Sequence, residues 1–228
     1  MAVMLADTPM TRTRTDRRTL LALATVLIAP RQAVSGTELV PIAIDSPEGR
    51  RLVERLRGGG LVLFFRHADT AGEPCDSTYR IGDRAGQRNL SPRGREQARR
   101  IGEVLQRERI PLGQILAGPV FRAADTAIEA FGTGVVTITD SLLADDYAGA
   151  RLDWVLAEHR RLFAEPVPAG SNRVLVGHRT PAIMVLGATV GGWAFPEGAA
   201  IVIQPAEPPR ILGILMPAPI AGGGFHHC

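Results

Sequence analysis

The sequence predicts an α/β fold: a three-layer α/β/α sandwich around a mostly parallel central sheet. Three observations point to it. Short apolar runs alternate with amphipathic segments at helical spacing over residues 46–217. The first run, "LVLFF" at 61–65, has no polar alternation, as a strand covered on both faces requires. Serine, proline and glycine mark where helices begin and end.

The elements follow in order. Ser46 caps a helix, Pro47 fits its first turn, and Leu52, Val53 and Leu56 repeat at helical spacing before Gly58–Gly60 stop it. "LVLFF" is then a central strand. Ser91 and Pro92 open a second helix, with Ala98, Ile101, Val104 and Leu105 on one face and arginines opposite. "QILAG" (114–118) reads as a strand, "RAADTAIEAFG" (122–132) as a helix, and "VVTI" (135–138) as a strand. A helix with Leu152, Val155, Leu156 and Leu162 inward precedes the strand "RVLVG" (173–177) and the helix "TPAIMVLGATV" (180–190). "AAIVIQP" and "ILGILMP" read as late strands at the sheet edge. No linker divides residues 45–217, so one domain is expected over 36–220, and glycine-rich 221–228 reads as a flexible tail.

Residues 1–35 differ in kind. "TRTRTDRR" is a basic stretch, "TLLALATVLIAP" a short apolar one, and Ala33 and Ser35 are small. This is the pattern of a signal peptide cleaved near Ser35, which implies an exported, periplasmic or secreted protein with no stable membrane insertion after cleavage. The segment holds five arginines and two aspartates, leaving 21 basic and 21 acidic residues. The formal +3 thus vanishes, and with it the case for a nucleic-acid partner. Two cysteines, Cys75 and Cys228, are compatible with one disulfide in an exported chain.

Three of the strands end on charge. "LVLFF" runs into Arg66 and His67, "QILAG" leads to Arg122, and "RVLVG" runs into His178 and Arg179. In a parallel sheet such ends share one edge, where ligands bind and helix N-termini point. Arg66, Arg122 and the two histidines there make an anion site, because guanidinium forks match phosphate oxygens. A neutral histidine can attack phosphorus. The leaving oxygen then needs a proton, and Asp145 or Asp146 in "SLLADDYAG" can supply it, since adjacent carboxylates raise one another's pKa.

These residues resemble the histidine phosphatase superfamily, which includes phosphoglycerate mutases and acid phosphatases. "RHADT" (66–70) is similar to the family's Arg–His–Gly element, with Ala68 where glycine is usual. "NLSPRGREQA" (89–98) resembles its helix start. "AGPVFRAADTA" (117–127) resembles its second-arginine element, with Gly118 in place of serine. "LADDYAG" (143–149) resembles its acid element, "LVGHRTP" (175–181) its Gly–His element, and "FPEGAAIVI" (195–203) its following strand.

The resemblance implies a phosphoglycerate mutase-like fold and a metal-independent, cofactor-free phosphomonoester hydrolase. It makes His67 the nucleophile, Arg66, Arg122 and His178 the phosphate-binding residues, and Asp145 the acid, with Asp146 as alternative. The short Asp145–His178 interval resembles compact members lacking a large cap, which implies an open cleft and hydrolysis. A small phosphomonoester, or a phosphorylated glycan or protein, is the expected partner. Rival readings are a phosphoryl mutase or transferase, a non-catalytic phosphate or phosphoglycan binder, and a metal hydrolase built from His67, Asp69 and His178.

Other residues carry plainer expectations. Asp69 reads as a helix cap or a support behind the phosphate site. Arg80, Arg84 and Arg88 could meet a second acidic group or simply solvent. His159 reads as a surface or half-buried histidine, and Trp154 and Trp193 as packing residues, with Trp193 a candidate for the cleft rim. His226, His227 and Cys228 form an adventitious metal cluster at most.

Overall fold

Strand β2 (Val62–Arg66) is the middle member of a seven-stranded sheet. On one side of it lie β8 (Ala200–Gln204), β9 (Arg210–Met216) and, at the edge, β1 (Ile42–Ala43). On the other lie β7 (Asn172–Gly177), β5 (Leu112–Ala117) and β6 (Val136–Ile138). Neighbours are parallel except around β8, which runs antiparallel to both β2 and β9. This computed structural model describes residues 39–226, all within one compact unit, Gly36–Cys228. The expected signal segment, His227 and Cys228 lie outside the described residues.

The unalternated "LVLFF" run behaves as its composition requires. Leu63 and Phe65 pack with α1 (Pro47–Arg57), α2 (Pro92–Arg107) and α3 (Phe121–Phe131) on one face. Val62 and Phe64 pack with α5 (Leu152–Ala164) and α6 (Arg179–Leu186) on the other. Three layers result. The caps form as read: Ser46 Oγ accepts from the Gly49 amide at 3.0 Å, and Ser91 Oγ from the Gly94 amide at 2.8 Å. A Cβ on Gly94 would fall 1.9 Å from the Asp69 carbonyl oxygen, so glycine lets the start of α2 press against the loop after β2.

Four expectations are corrected. The strand "AAIVIQ" lies inside the sheet beside β2; its apolar residues are buried on both faces, and the two-residue β1 takes the edge next to β9. His159 is fully buried, because it falls on the same helical stripe as Val155 and Leu162. Its Nδ1–H donates to the Val155 carbonyl at 2.8 Å, its ring meets Phe64 and Phe163 edge-on, and burial lowers its pKa to about 4. Trp154 and Trp193, expected as packing residues, are exposed at 45% and 68% and pack at the surface instead of in the core, Trp154 beside Arg151. Residues 221–226, expected as a loose tail, turn back onto the body. The Glu197 amide donates to the Gly224 carbonyl at 2.9 Å, and the Phe225 ring meets that of Trp193 at 4.4 Å.

Candidate active site

The parallel trio β2, β7 and β5 brings three carboxyl ends to one edge. Arg66 is the last residue of β2, and His67 follows it. His178 follows β7 and sits at the N-cap of α6. Arg122 lies in the first turn of α3, just after β5. The His67 and His178 rings stand 5.5 Å apart by centroid. All four side chains line one cavity of about 180 Å³, together with Asp145 and Asp146. The sequence-expected set therefore converges.

His67 is fixed on several sides. Its amide donates to the Gly177 carbonyl at 3.1 Å, and its own carbonyl accepts from the Gly198 amide at 3.0 Å. Its Nδ1 lies 2.9 Å from the Ala68 carbonyl oxygen. A carbonyl can only accept, so Nδ1 carries the proton and Nε2 keeps its lone pair. Burial, then Arg122, Arg66 and His178, hold the His67 pKa well below the ordinary value. The same burial, with Arg122 next, lowers His178. Both imidazoles are therefore neutral, and His67 is ready to act as a nucleophile.

Arg66 and Arg122 are each held from behind by a carboxylate whose side chain is buried. Arg66 donates to Glu197 at 3.3 Å, to the Phe195 carbonyl at 3.1 Å and to the His226 carbonyl at 3.4 Å. Glu197 in turn accepts from the Thr70 hydroxyl at 3.2 Å and from His226 Nδ1 at 3.0 Å. Arg122 donates to both oxygens of Asp76, at 3.1 and 2.8 Å. Tyr147 also donates its hydroxyl to Asp76; burial and this bond raise the tyrosine pKa. Seven buried side-chain nitrogen or oxygen atoms have no partner among the described residues, and five belong to residues of this one cavity: Arg66 Nε, Arg88 Nε, Arg122 Nε, His178 Nε2 and Arg179 Nε. A crowd of unmatched polar atoms at one place, four of them guanidinium donors, suits an oxyanion.

The acid candidates separate by environment. Asp145 is half-buried and opens the one-turn helix α4 (Asp145–Ala148), whereas Asp146 is exposed. Burial and the neighbouring Asp146 raise the Asp145 pKa, against a hydrogen bond from Thr180 that lowers it. Asp145 is thus the carboxyl better suited to hold a proton.

Other residues fall outside the cavity. Asp69 accepts from the Ser91 hydroxyl at 2.5 Å and steadies the start of α2; it does not line the cavity with His67 and His178, so the rival metal trio gains no support there. Arg84 pairs with Asp125 at 2.6 and 2.9 Å and covers Phe121, while Arg80 faces solvent. Asp69, Glu197 and His226 place one potential ligand atom each within 4.8 Å of one another. Arg66 against Glu197, and Arg93 at 3.7 Å from Asp69, already balance those carboxylates and oppose a further cation there. Cys75 is disulfide-bonded.

The two departures from the expected family residues have local causes. A Cβ at Gly118 would lie 2.3 Å from the Leu142 carbonyl oxygen, so serine has no room. Ala68 is fully buried against Leu90 and Ala98, and its methyl group fills that space. Sequence reasoning gave no role to Glu197, Asp76, Tyr147 and Thr180, and named Arg179 only as a charge at the end of its strand. Asp76 and Glu197 sit in loops with no periodic signal; Glu197 falls inside the quoted "FPEGAAIVI" without standing out in it, and Asp76 is marked only as an acid beside Cys75.

The fold and the site together define a phosphoryl-transfer enzyme with a histidine nucleophile. The chain belongs to the histidine phosphatase superfamily (branch 1), whose family model matches residues 62–179. No curated protein matches it. Among solved structures it is similar to a mycobacterial glucosyl-3-phosphoglycerate phosphatase (23% identity, 67% of this chain and 96% of that one, TM-score 0.46). It is also similar to the protein histidine phosphatase SixA in complex with tungstate (17%, 69% and 97%, TM-score 0.46). A third is a mutant phosphoserine phosphatase from Entamoeba histolytica in complex with phosphoserine (13%, 68% and 95%, TM-score 0.46).

Proposed function

We propose that this chain is an exported phosphomonoester hydrolase in which His67 carries the phosphoryl group. The observation that carries the reading is the convergence of His67, His178, Arg66 and Arg122 on one cavity with unmatched donors. In the first step the His67 Nε2 lone pair forms a bond to phosphorus. The bond to the ester oxygen breaks, and Asp145 gives that oxygen its proton. Arg66, Arg122 and His178 hold the phosphoryl oxygens as charge spreads over them. In the second step water attacks phosphorus and the P–N bond breaks. The Asp145 carboxylate takes the water's proton, and His67 regains its lone pair.

The short Asp145–His178 interval leaves little chain for a cap, which favours water over a second alcohol as acceptor. The basic and apolar character of residues 11–30 and the disulfide at Cys75 support export. The test is a phosphomonoester panel assayed on protein lacking residues 1–35, with and without chelator, beside His67→Ala. Chelator-insensitive release of phosphate is expected, falling by roughly a thousandfold or more in the variant. Unchanged turnover in His67→Ala would falsify the nucleophile assignment, and transfer to an added alcohol faster than phosphate release would select a transferase.

A further inference from the structure

Four arginines line the cavity, and their charges are not balanced alike. Arg66 ends on Glu197 and Arg122 on Asp76. Arg88 and Arg179 have no ion pair among the described residues; Arg88 donates to the Pro74 carbonyl and Arg179 to the Gly192 carbonyl. Of these two, Arg88 is the one tied to Arg122, through Asp76. Arg179 and Arg88 both depress the Arg66 pKa, and burial with the Arg122 charge depresses that of Arg88. Mutually repelling guanidiniums are held together here by protein geometry, with carboxylates paired to Arg66 and Arg122 and, among the described residues, none to Arg88 or Arg179.

That geometry is built. Arg88 closes the long loop that leaves β3 (Thr70–Ala71) and re-enters at β4 (Asn89–Leu90), two short strands paired antiparallel. The Arg88 amide donates to Asp76 Oδ1 at 2.7 Å, and the Arg122 side chain takes the same carboxylate. One buried acid thus fixes the backbone of one arginine and the fork of another. Next door, Gln87 Oε1 accepts from the Phe121 amide at 3.0 Å, docking the loop on the start of α3. The Arg88 side chain is half-buried and its Nε is unmatched.

We infer that Arg88 is a third guanidinium for the transferring phosphoryl group, delivered by the 72–88 loop and registered to Arg122 through Asp76. The inference rests on His67 being the phosphoryl acceptor. It goes further by giving the otherwise solvent-like loop a role in binding charge, with Asp76 as the positioning residue.

The test compares Arg88→Ala and Arg88→Lys with Arg84→Ala, a change in the same loop whose side chain pairs with Asp125 away from the cavity. Both kcat/KM and the affinity for tungstate, a phosphoryl mimic, are measured. Arg88→Ala is expected to lower kcat/KM about 100-fold and weaken tungstate binding at least about tenfold. Arg88→Lys should recover part of both, and Arg84→Ala should stay within about threefold of the parent. Tungstate affinity unchanged in Arg88→Ala overturns the inference even if turnover falls, since the residue then merely holds the loop. Equal losses in Arg84→Ala overturn it too. Tungstate binding does not require turnover, so it judges Arg88 even if the parent protein hydrolyses nothing, a result that would instead sink the hydrolase reading.

Discussion

The two arginine corners of the cavity solve one problem with different parts. At the Arg66 corner the guanidinium emerges straight from the central strand. Its carboxylate, Glu197, lies just before β8, wholly buried, with the chain's last described residues folded over it. At the Arg122 corner the guanidinium stands on a helix, and its carboxylate, Asp76, belongs to a long loop that also serves Tyr147 and Arg88. The first corner is part of the core. The second is a loop assembly docked on the core. Loss of charge should therefore cost the first corner mainly stability and the second mainly function.

The sharpest way to break this contrast is to replace each carboxylate by its amide. Glu197→Gln leaves a buried guanidinium uncompensated and should cost ~3–5 kcal/mol of stability, read as a large drop in Tm. Asp76→Asn should cost less stability but lower kcat/KM about 10- to 100-fold, because two arginines lose their common anchor. Similar Tm losses with equal activity in the two variants would dissolve the distinction.

Gly118→Ser probes the packing between the corners. Its added side chain meets the Leu142 carbonyl, and a loss of ~1–3 kcal/mol is expected in denaturant melts. Wild-type stability in that variant would mean the turn after β5 yields more easily than the structure implies.

Protons sharpen the contrast further. The Asp76 pKa is lowered in the folded state, so its contribution is present above the ordinary value of 3.8 and is lost as pH falls through the lower folded value. The Tm gap between parent and Asp76→Asn should accordingly shrink below about pH 3.8. Asp145 is shifted the other way. Its proton persists above 3.8, so kcat should fall on the alkaline side as that proton is lost, and Asp145→Asn should flatten this limb. His67 stays neutral well below the ordinary histidine value, so activity should extend into acid. The smallest effect is Ala68→Gly, which removes a buried methyl group and should cost about 1 kcal/mol with little change in turnover.

Residues were legible where position along the chain fixes position in space. Arg66, His67 and His178 directly follow apolar strands, so the strand pattern gives their edge of the sheet, and Arg122 follows by one short turn. The orienting carboxylates offered no such handle. Glu197 is 131 residues from Arg66 and Asp76 is 46 from Arg122, and each is a single acid in irregular chain. Pairing at that range is decided by packing of the whole fold. His159 was legible and misread: its spacing from Val155 and Leu162 already placed it on the apolar stripe, but its charged neighbours suggested solvent. The tail was misread for a related reason, since glycine-rich composition reports backbone freedom and not the buried partners waiting at Arg66 and Glu197.

The most direct measurement is a rapid alkaline quench of the protein with labelled phosphomonoester, followed by peptide mapping. Phosphate is expected on His67, stable in alkali and lost in acid, and absent from His67→Ala. Steady hydrolysis with no such label on His67, or with the label on another residue, would contradict it.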